Sequence, residues 1–334
     1  MAKKNIALLT GGDSGEYVIS MKSSTMIREN LDKELFSVYT ILIHKGKWVH
    51  VDDEGNECPV DKNDFTVRLS DQKLVFDCVF ITIHGTPGED GKLQAYFELL
   101  RIPYTTAGVL ASALTFNKYY CNLIVEKLGH PVPRSVKLIH GKPYAPCEVI
   151  DQLGLPVFVK PNEGGSSLGM TFVKGADALQ PAISHAFDYD RIVLVEEYIS
   201  GVELTCGVFL QDGRIRALPL TEIISKTAAR YFDYEAKYTP GAADEITPAR
   251  ITPELTTKVQ EVSVELYEQL DLFGLVRFDY IYNKANDSLY FIEVNVTPGM
   301  TETSLVPQAA AVAGISNKDL FTTLIEEALR KSKP

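Results

Sequence analysis

The stretch Val79-Phe80-Ile81-Thr82-Ile83-His84-Gly85-Thr86-Pro87-Gly88-Glu89-Asp90-Gly91, followed by a run from Lys92 to Leu100, decides the fold class. Its first five residues are apolar or β-branched and read as a buried strand. The next eight hold three glycines and a proline, which stop regular structure. From Lys92 the pattern is helical. Strand, glycine-rich loop and helix in succession form the unit of a parallel α/β sheet, with ligand-binding loops at the carboxyl ends of its strands. The same order recurs at the start of the chain, where Ile6-Ala7-Leu8-Leu9 ends in Thr10-Gly11-Gly12 and a helical pattern starts near Ile19. Val38 to Ile43 adds a further strand. These signals predict an N-terminal parallel α/β domain over residues 1–107.

Further along, residues 112–128 have helical spacing, with Gly129 and Pro131 as stops. Strands over 156–160, 170–173 and 192–196 and a helix over 177–187 make a second αβ unit, 108–196. The remainder, 197–334, opens with strands over 203–210 and 214–218. A long helix follows over 253–270, then strands over 275–282 and 289–295, and a closing helix over 318–330. Between them, 225–252 is polar, Tyr-rich and without clear periodicity, the mark of a mobile lid or binding loop.

Composition narrows the function. The 334 residues suit two or three domains, and 45% hydrophobic against 23% charged is the balance of a soluble protein. With 44 acidic and 33 basic residues the net charge is −11, which argues against a nucleic-acid partner or an anionic membrane surface. An anionic ligand must then be held by a local cluster of cations. No apolar run approaches the roughly 18–20 residues of a membrane span, and the apolar stretch near the start is too short for a secretory signal. Cys58, Cys78, Cys121, Cys147 and Cys206 are odd in number, scattered and without a C-x-x-C pair. They predict neither a disulfide framework nor a zinc site, and point to the cytoplasm.

Three stretches carry chemistry. Lys160-Pro161-Asn162-Glu163-Gly164-Gly165-Ser166-Ser167-Leu168-Gly169 joins two strands, so it is not a Walker A loop. Its glycines and serines free backbone N–H groups to converge on one anion, and Lys160 adds charge; the competing reading is a plain hairpin. Arg277 and Asp279 alternate on one strand and Glu293 and Asn295 on the next, each pair on one face. With a turn-like 283–288 between them the strands are antiparallel neighbours. Asp279, Glu293 and Asn295 then form an all-oxygen site suited to Mg²⁺, with Arg277 beside it to take developing negative charge. A simple ion pair between Arg277 and a carboxylate is the alternative. Last, Pro298-Gly299 turns the chain directly after the metal strand and exposes N–H groups there.

Taken together, these residues resemble the D-alanine–D-alanine ligases of the ATP-grasp superfamily. The likeness rests on blocks in family order: Gly11-Gly12-Asp13-Ser14-Gly15-Glu16 with Val18-Ile19-Ser20, His84-Gly85 through Gly88-Glu89-Asp90-Gly91, Lys160-Pro161 with Gly165 to Met170, and Glu293-Val294-Asn295 through Pro298-Gly299-Met300 to Pro307. Tyr231 to Tyr238 is similar to the family's mobile loop. Asp13, where a hydroxyl residue is common, and Glu163-Gly164 ahead of the serines depart from the pattern.

The resemblance implies a three-domain α/β ATP-grasp fold and ATP-dependent joining of two D-alanines through a D-alanyl phosphate, for peptidoglycan synthesis. It implies ATP, two Mg²⁺ (Mn²⁺ as a substitute) and a homodimer. Lys118 and Lys160 would grip phosphates with Ser167 closing over them, and Glu196 and Glu203 would contact adenine and ribose. Asp279, Glu293 and Asn295 would ligate metal. Glu16 would hold the first D-alanine's ammonium in a triad with Ser166 and Tyr238, with His84 near that substrate's carboxylate. Arg277 and the Gly299 N–H would face the oxyanion, and Ser304 with Lys237 would clamp the second carboxylate. Another ATP-grasp carboxylate–amine ligase and an inactive nucleotide-binding regulator are the rival readings.

Overall fold

The computed structural model describes residues 2–226 and 241–331. The first sheet holds β1 (Lys4–Gly11), β2 (Phe36–His44), β3 (Lys47–Val51), β4 (Glu57–Asp61), β5 (Thr66–Leu69), β6 (Gln72–Leu74) and β7 (Cys78–Ile81), in the order β6-β5-β4-β3-β2-β1-β7. Only its centre is parallel: β1 pairs with β2 (Ile6 opposite Val38) and with β7 (Leu8 opposite Phe80). From β2 to β6 the strands are antiparallel, so the expected parallel domain is a mixed sheet. Lys45-Gly46 shows why: both residues have positive φ, the geometry of a two-residue hairpin turn, and no crossover helix intervenes. Helices α1 (Tyr17–Asn30) and α2 (Lys92–Leu100) follow β1 and β7 as the opening pattern predicts.

The second sheet is fully antiparallel, in the order β10-β9-β11-β8, from β8 (Ser135–Ile139), β9 (Val157–Pro161), β10 (Thr171–Val173) and β11 (Ile192–Glu197). Its own core gathers Val149 of α5 (Pro146–Leu153) and Ile183 of α6 (Leu179–Phe187) against Val159 and Val193.

The third sheet runs β15-β14-β12-β16-β17, with β13 also on β12. Its strands are β12 (Val202–Gln211), β13 (Arg214–Ala217), β14 (Thr221–Ser225), β15 (Ala243–Ile246), β16 (Val276–Asn283) and β17 (Ser288–Asn295), backed by α7 (Pro253–Gln269). The segment 225–252 is therefore not wholly irregular: Ala243–Ile246 pairs with β14, Ile224 lying opposite Asp244. The block Tyr231 to Tyr238 lies outside the described residues.

The helix expected over 112–128 is two, α3 (Val109–Phe116) and α4 (Lys118–Lys127), broken at Asn117, whose φ of −90° and ψ of 96° are extended. Both pack on the third sheet rather than the second. Ala111, Cys121 and Val125 join Val259, Phe278 and Phe291 in one core, because the i, i+4 pair Cys121–Val125 gives α4 an apolar stripe.

The chain closes with α8 (Leu305–Val312) and α9 (Asn317–Lys331). Leu320, Phe321, Leu324, Ile325 and Ala328 form one face of α9, buried among Ile6, Leu8 and Phe80 of the first sheet, Phe209 of the third and Leu275 just before β16. First and third sheets thus share a core. No helix among the described residues is long and apolar enough to cross a membrane.

Candidate active site

A cleft, partly open to solvent, lies between the second and third sheets. Lys118, Lys160, Ser166, Ser167, Glu196, Glu203, Arg277, Asp279 and Glu293 all line it. Phe158, Met170, Tyr198, Ile199, Ile281 and Ile292 supply an apolar slot that sequence reasoning missed, although alternation along β16 and β17 puts Ile281 and Ile292 on the face of Asp279 and Glu293 once the β-bulge after Asp279 is allowed for.

On β16 and β17, Asp279 lies opposite Glu293 and Arg277 opposite Asn295. Cross-strand partners point to the same face, so one carboxylate from each strand meets there. Among the described residues no three His, Cys, Asp or Glu side chains cluster as a metal site. Two carboxylates and the Asn295 amide therefore leave positions for phosphate or water oxygens, a donor set that fits Mg²⁺. Arg277 grips Asp279 with two bonds, Nε–Oδ1 at 2.8 Å and Nη2–Oδ2 at 2.7 Å. The ion pair considered from the sequence is thus real, but it lies within the cleft. Burial would lower the Arg277 pKa; Asp279 and Glu293 beside it outweigh this and hold it above the usual arginine range. Asn295 Oδ1 accepts from Thr297 N at 2.9 Å and shapes the turn into Pro298-Gly299.

The two lysines reach the cleft from different elements. Lys118 opens α4; its Nζ donates to the Gly164 carbonyl at 2.6 Å and lies 3.9 Å from Glu293 Oε2. Burial pulls its pKa down, opposed by Glu293. Lys160 ends β9, buried, with its Nζ 2.5 Å from Glu196 Oε2, while Asn122 Nδ2 donates to Glu196 Oε1 at 3.4 Å. Glu196 is therefore shared between Lys160 and Asn122 at the wall of the cleft.

In the glycine loop, Ser166 and Ser167 both adopt left-handed φ values of 53° and 57°. Two such non-glycine residues in succession store strain, which clusters at ligand-gripping loops. Ser166 Oγ donates to Glu16 Oε1, joining residues 150 apart in sequence. Gly165 permits this: a Cβ there would sit 2.6 Å from Glu16 Oε2. Glu16 is placed by the start of α1, its carbonyl accepting from Ile19 N at 2.9 Å. Tyr238, expected to complete the triad with Glu16 and Ser166, and Lys237, expected to clamp the second carboxylate with Ser304, lie outside the described residues.

His84, three residues beyond β7, is buried, its backbone N–H donating to Ser20 Oγ at 3.0 Å. Burial lowers its pKa, with Glu16 acting the other way. Glu89 belongs to the block from His84 to Gly91. Its carboxylate is buried, accepts from Gly85 N at 2.6 Å, and is pushed up to about 8 by burial and by Glu16. Gly299 and Ser304 adjoin: a Cβ on Gly299 would lie 2.9 Å from Ser304 Oγ. Ser304 precedes α8, and its hydroxyl accepts from Thr301 N at 2.9 Å.

Residues 5–107 match the model of the D-ala D-ala ligase N-terminus, and residues 124–326 that of the D-ala D-ala ligase C-terminus. Proteins named D-alanine--D-alanine ligase are similar along the chain: 45% identity with that of Parabacteroides distasonis, covering 99% of both chains, and 42% with that of Porphyromonas gingivalis, covering 100% of both. Among solved structures, the VanG D-Ala:D-Ser ligase from Enterococcus faecalis superposes with a TM-score of 0.87 at 33% identity, covering 98% of this chain and 100% of that one. The D-alanyl-alanine synthetase A from Vibrio cholerae gives 0.88 at 29%, covering 99% of each. The three-sheet architecture is the ATP-grasp fold expected from the sequence. Matched over both halves, the chain belongs to the D-alanine–D-alanine ligase family.

Proposed function

We propose that this protein joins two D-alanine molecules into D-alanyl-D-alanine at the expense of ATP, releasing ADP and phosphate, in the cytoplasm and for peptidoglycan synthesis. The observation that carries the reading is the convergence of Asp279, Glu293, Lys118 and Lys160 on one cleft. The homodimer and the boundaries 1–107, 108–196 and 197–334 belong to the same proposal.

A carboxylate is a poor electrophile, so the first D-alanine must take the γ-phosphoryl group of ATP before an amine can attack. Glu16, held by Ser166, binds that substrate's ammonium through a charge-assisted hydrogen bond, and His84 lies near its carboxylate. Lys118, Lys160 and Ser167 hold the phosphates, Glu196 the adenine and Glu203 the ribose. Asp279, Glu293 and Asn295 would hold the divalent metal, two Mg²⁺ ions or Mn²⁺ in their place, whose charge neutralises the phosphoryl oxygens. Arg277 and the Gly299 N–H meet the oxyanion formed when the second amine adds. Ser304, with Lys237, holds the second carboxylate, and Tyr238 closes on Glu16 and Ser166. Exclusion of water protects the acyl phosphate.

The likeness to a D-Ala:D-Ser ligase makes D-serine a second acceptor to test. The protein is given ATP, Mg²⁺, D-alanine and either D-serine or D-lactate, and products are separated by mass across pH. D-alanyl-D-alanine should dominate and rise from neutral to alkaline pH as free amine accumulates, with little ester from D-lactate. Mixed products in comparable yield at neutral pH refute the acceptor assignment. Absence of phosphate release with D-alanine refutes the ligase reading and favours an inactive nucleotide-binding regulator.

A further inference from the structure

The residues Glu163-Gly164, which interrupt the family pattern ahead of the serines, have a structural partner. Asn117, in the break between α3 and α4, donates from Nδ2 to Glu163 Oε1 at 3.0 Å. The same side chain caps α4, its Oδ1 accepting from Tyr120 N at 3.2 Å. Asn162 satisfies the other two leading N–H groups of that helix: its carbonyl accepts from Lys118 N at 3.1 Å and its Oδ1 from Tyr119 N at 2.9 Å. Such groups have no partner within their own helix. Here two are met from the glycine loop, by Asn162.

The far side of α4 is anchored elsewhere, since Cys121 and Val125 sit in the core of the third sheet. Helix α4 is thus a strut from the third sheet to the loop of the second. Lys118 stands at its loop end, with Nζ on the Gly164 carbonyl and Glu293 at 3.9 Å. Glu163 is held from its other side as well, its N–H donating to Asp190 Oδ2 at 2.8 Å.

We propose that Asn117 and Glu163 form a latch that fixes the glycine loop against the start of α4, so that Lys118 and Lys160 keep the spacing needed to grip the phosphates of a nucleoside triphosphate. Both are positioning residues; neither touches the reacting atoms. The inference rests on the ATP-dependent reading above. It also gives the Glu163 departure a use: the carboxylate accepts from an amide that must cap a helix at the same time.

Asn117→Asp tests it. Aspartate caps a helix as well as asparagine does, so α4 keeps its start. It has no donor for Glu163, and two carboxylates then face each other. ATP affinity is measured first by calorimetry on the unsubstituted protein; if there is none, both the reaction reading and the latch fall. Given binding, Asn117→Asp should raise the apparent KM for ATP about three- to tenfold, with kcat within about twofold. The deficit should shrink as KCl rises, because repulsion between exposed carboxylates is screened. Adding Glu163→Gln restores a donor and should return much of the lost affinity, which a double-mutant cycle quantifies. A merely structural role would lower thermal stability and leave the ATP KM, its salt dependence and the rescue absent. The latch is overturned, with the reaction reading intact, if Asn117→Asp binds ATP like the parent or the double variant binds no better than the single.

Discussion

Asp279 and Glu293 face each other across adjacent antiparallel strands, and Arg277, two residues from Asp279, already holds that carboxylate with two hydrogen bonds. A cation that took Asp279 as a ligand would therefore compete with Arg277 for it. Glu293→Gln keeps the shape and removes one charge. A charged oxygen contributes about 1.5–3 kcal/mol, so the Mg²⁺ concentration for half-maximal rate should rise about 10- to 100-fold. A Mg²⁺ titration of the initial rate reads this directly; an unchanged midpoint removes Glu293 from the metal site.

The proposed first-substrate pocket depends on the Glu16–Ser166 contact between distant segments. Glu16→Gln should weaken D-alanine at the first site by about 10- to 100-fold and barely change ATP binding. Gly165→Ala should do smaller but measurable harm without touching a charge, since the added carbon lands within 2.6 Å of the Glu16 carboxylate and displaces it. Kinetics in D-alanine at saturating ATP compare the two. An Ala variant with parental D-alanine dependence would show that Glu16 is not held where the structure has it.

Stability should depend on pH through Glu89. Its folded pKa, about 8, lies above that of an unfolded glutamate, so the native state binds the extra proton between about pH 4.5 and 8. Stability from this group is complete below about 4.5 and falls as pH rises towards 8. Glu89→Gln mimics the protonated form and keeps an acceptor for Gly85 N. Chemical denaturation of the two proteins should agree near pH 4.5, with the variant increasingly the more stable up to pH 8. A gap that is flat or of opposite sign refutes the buried neutral carboxyl.

Phe321 is fully buried where α9 meets the first and third sheets. Phe321→Ala should cost about 3–5 kcal/mol. Because the core is shared, loss of signal from both sheets should occur in one transition, followed by denaturant titration with probes on each.

The third sheet's chemistry was legible because a strand's two-residue period is rigid: Arg277, Asp279, Glu293 and Asn295 fall on one face wherever the sheet sits. The start of α1 and α2 was legible from glycine-rich loops for a similar local reason. What failed was tertiary. Nothing local tells that Cys121 and Val125 belong to the third sheet, or that Asn117 breaks a helix whose apolar pattern runs on. Gly165 looked like one more loop glycine, since its need arises from Glu16, 149 positions earlier. The meander from β3 to β6 was overlooked because its short strands are edged with charge, and Lys45-Gly46 is an inconspicuous hairpin turn. Glu89 needed the burial of its surroundings before its chemistry could be seen.

The last helix of the chain packs on some of its first strands, and this orders events during synthesis. Ile6, Leu8 and Phe80 emerge early together with Ile27 and Leu31 of α1, yet Phe321 and its neighbours, which complete their core, arrive much later. At about 5–20 residues per second, the nascent first sheet waits on the order of ten seconds or more with that core incomplete. A ribosome that stalls before α9, or a nonsense codon just ahead of it, would therefore release a chain whose oldest part is its stickiest, a natural client for chaperones and proteases.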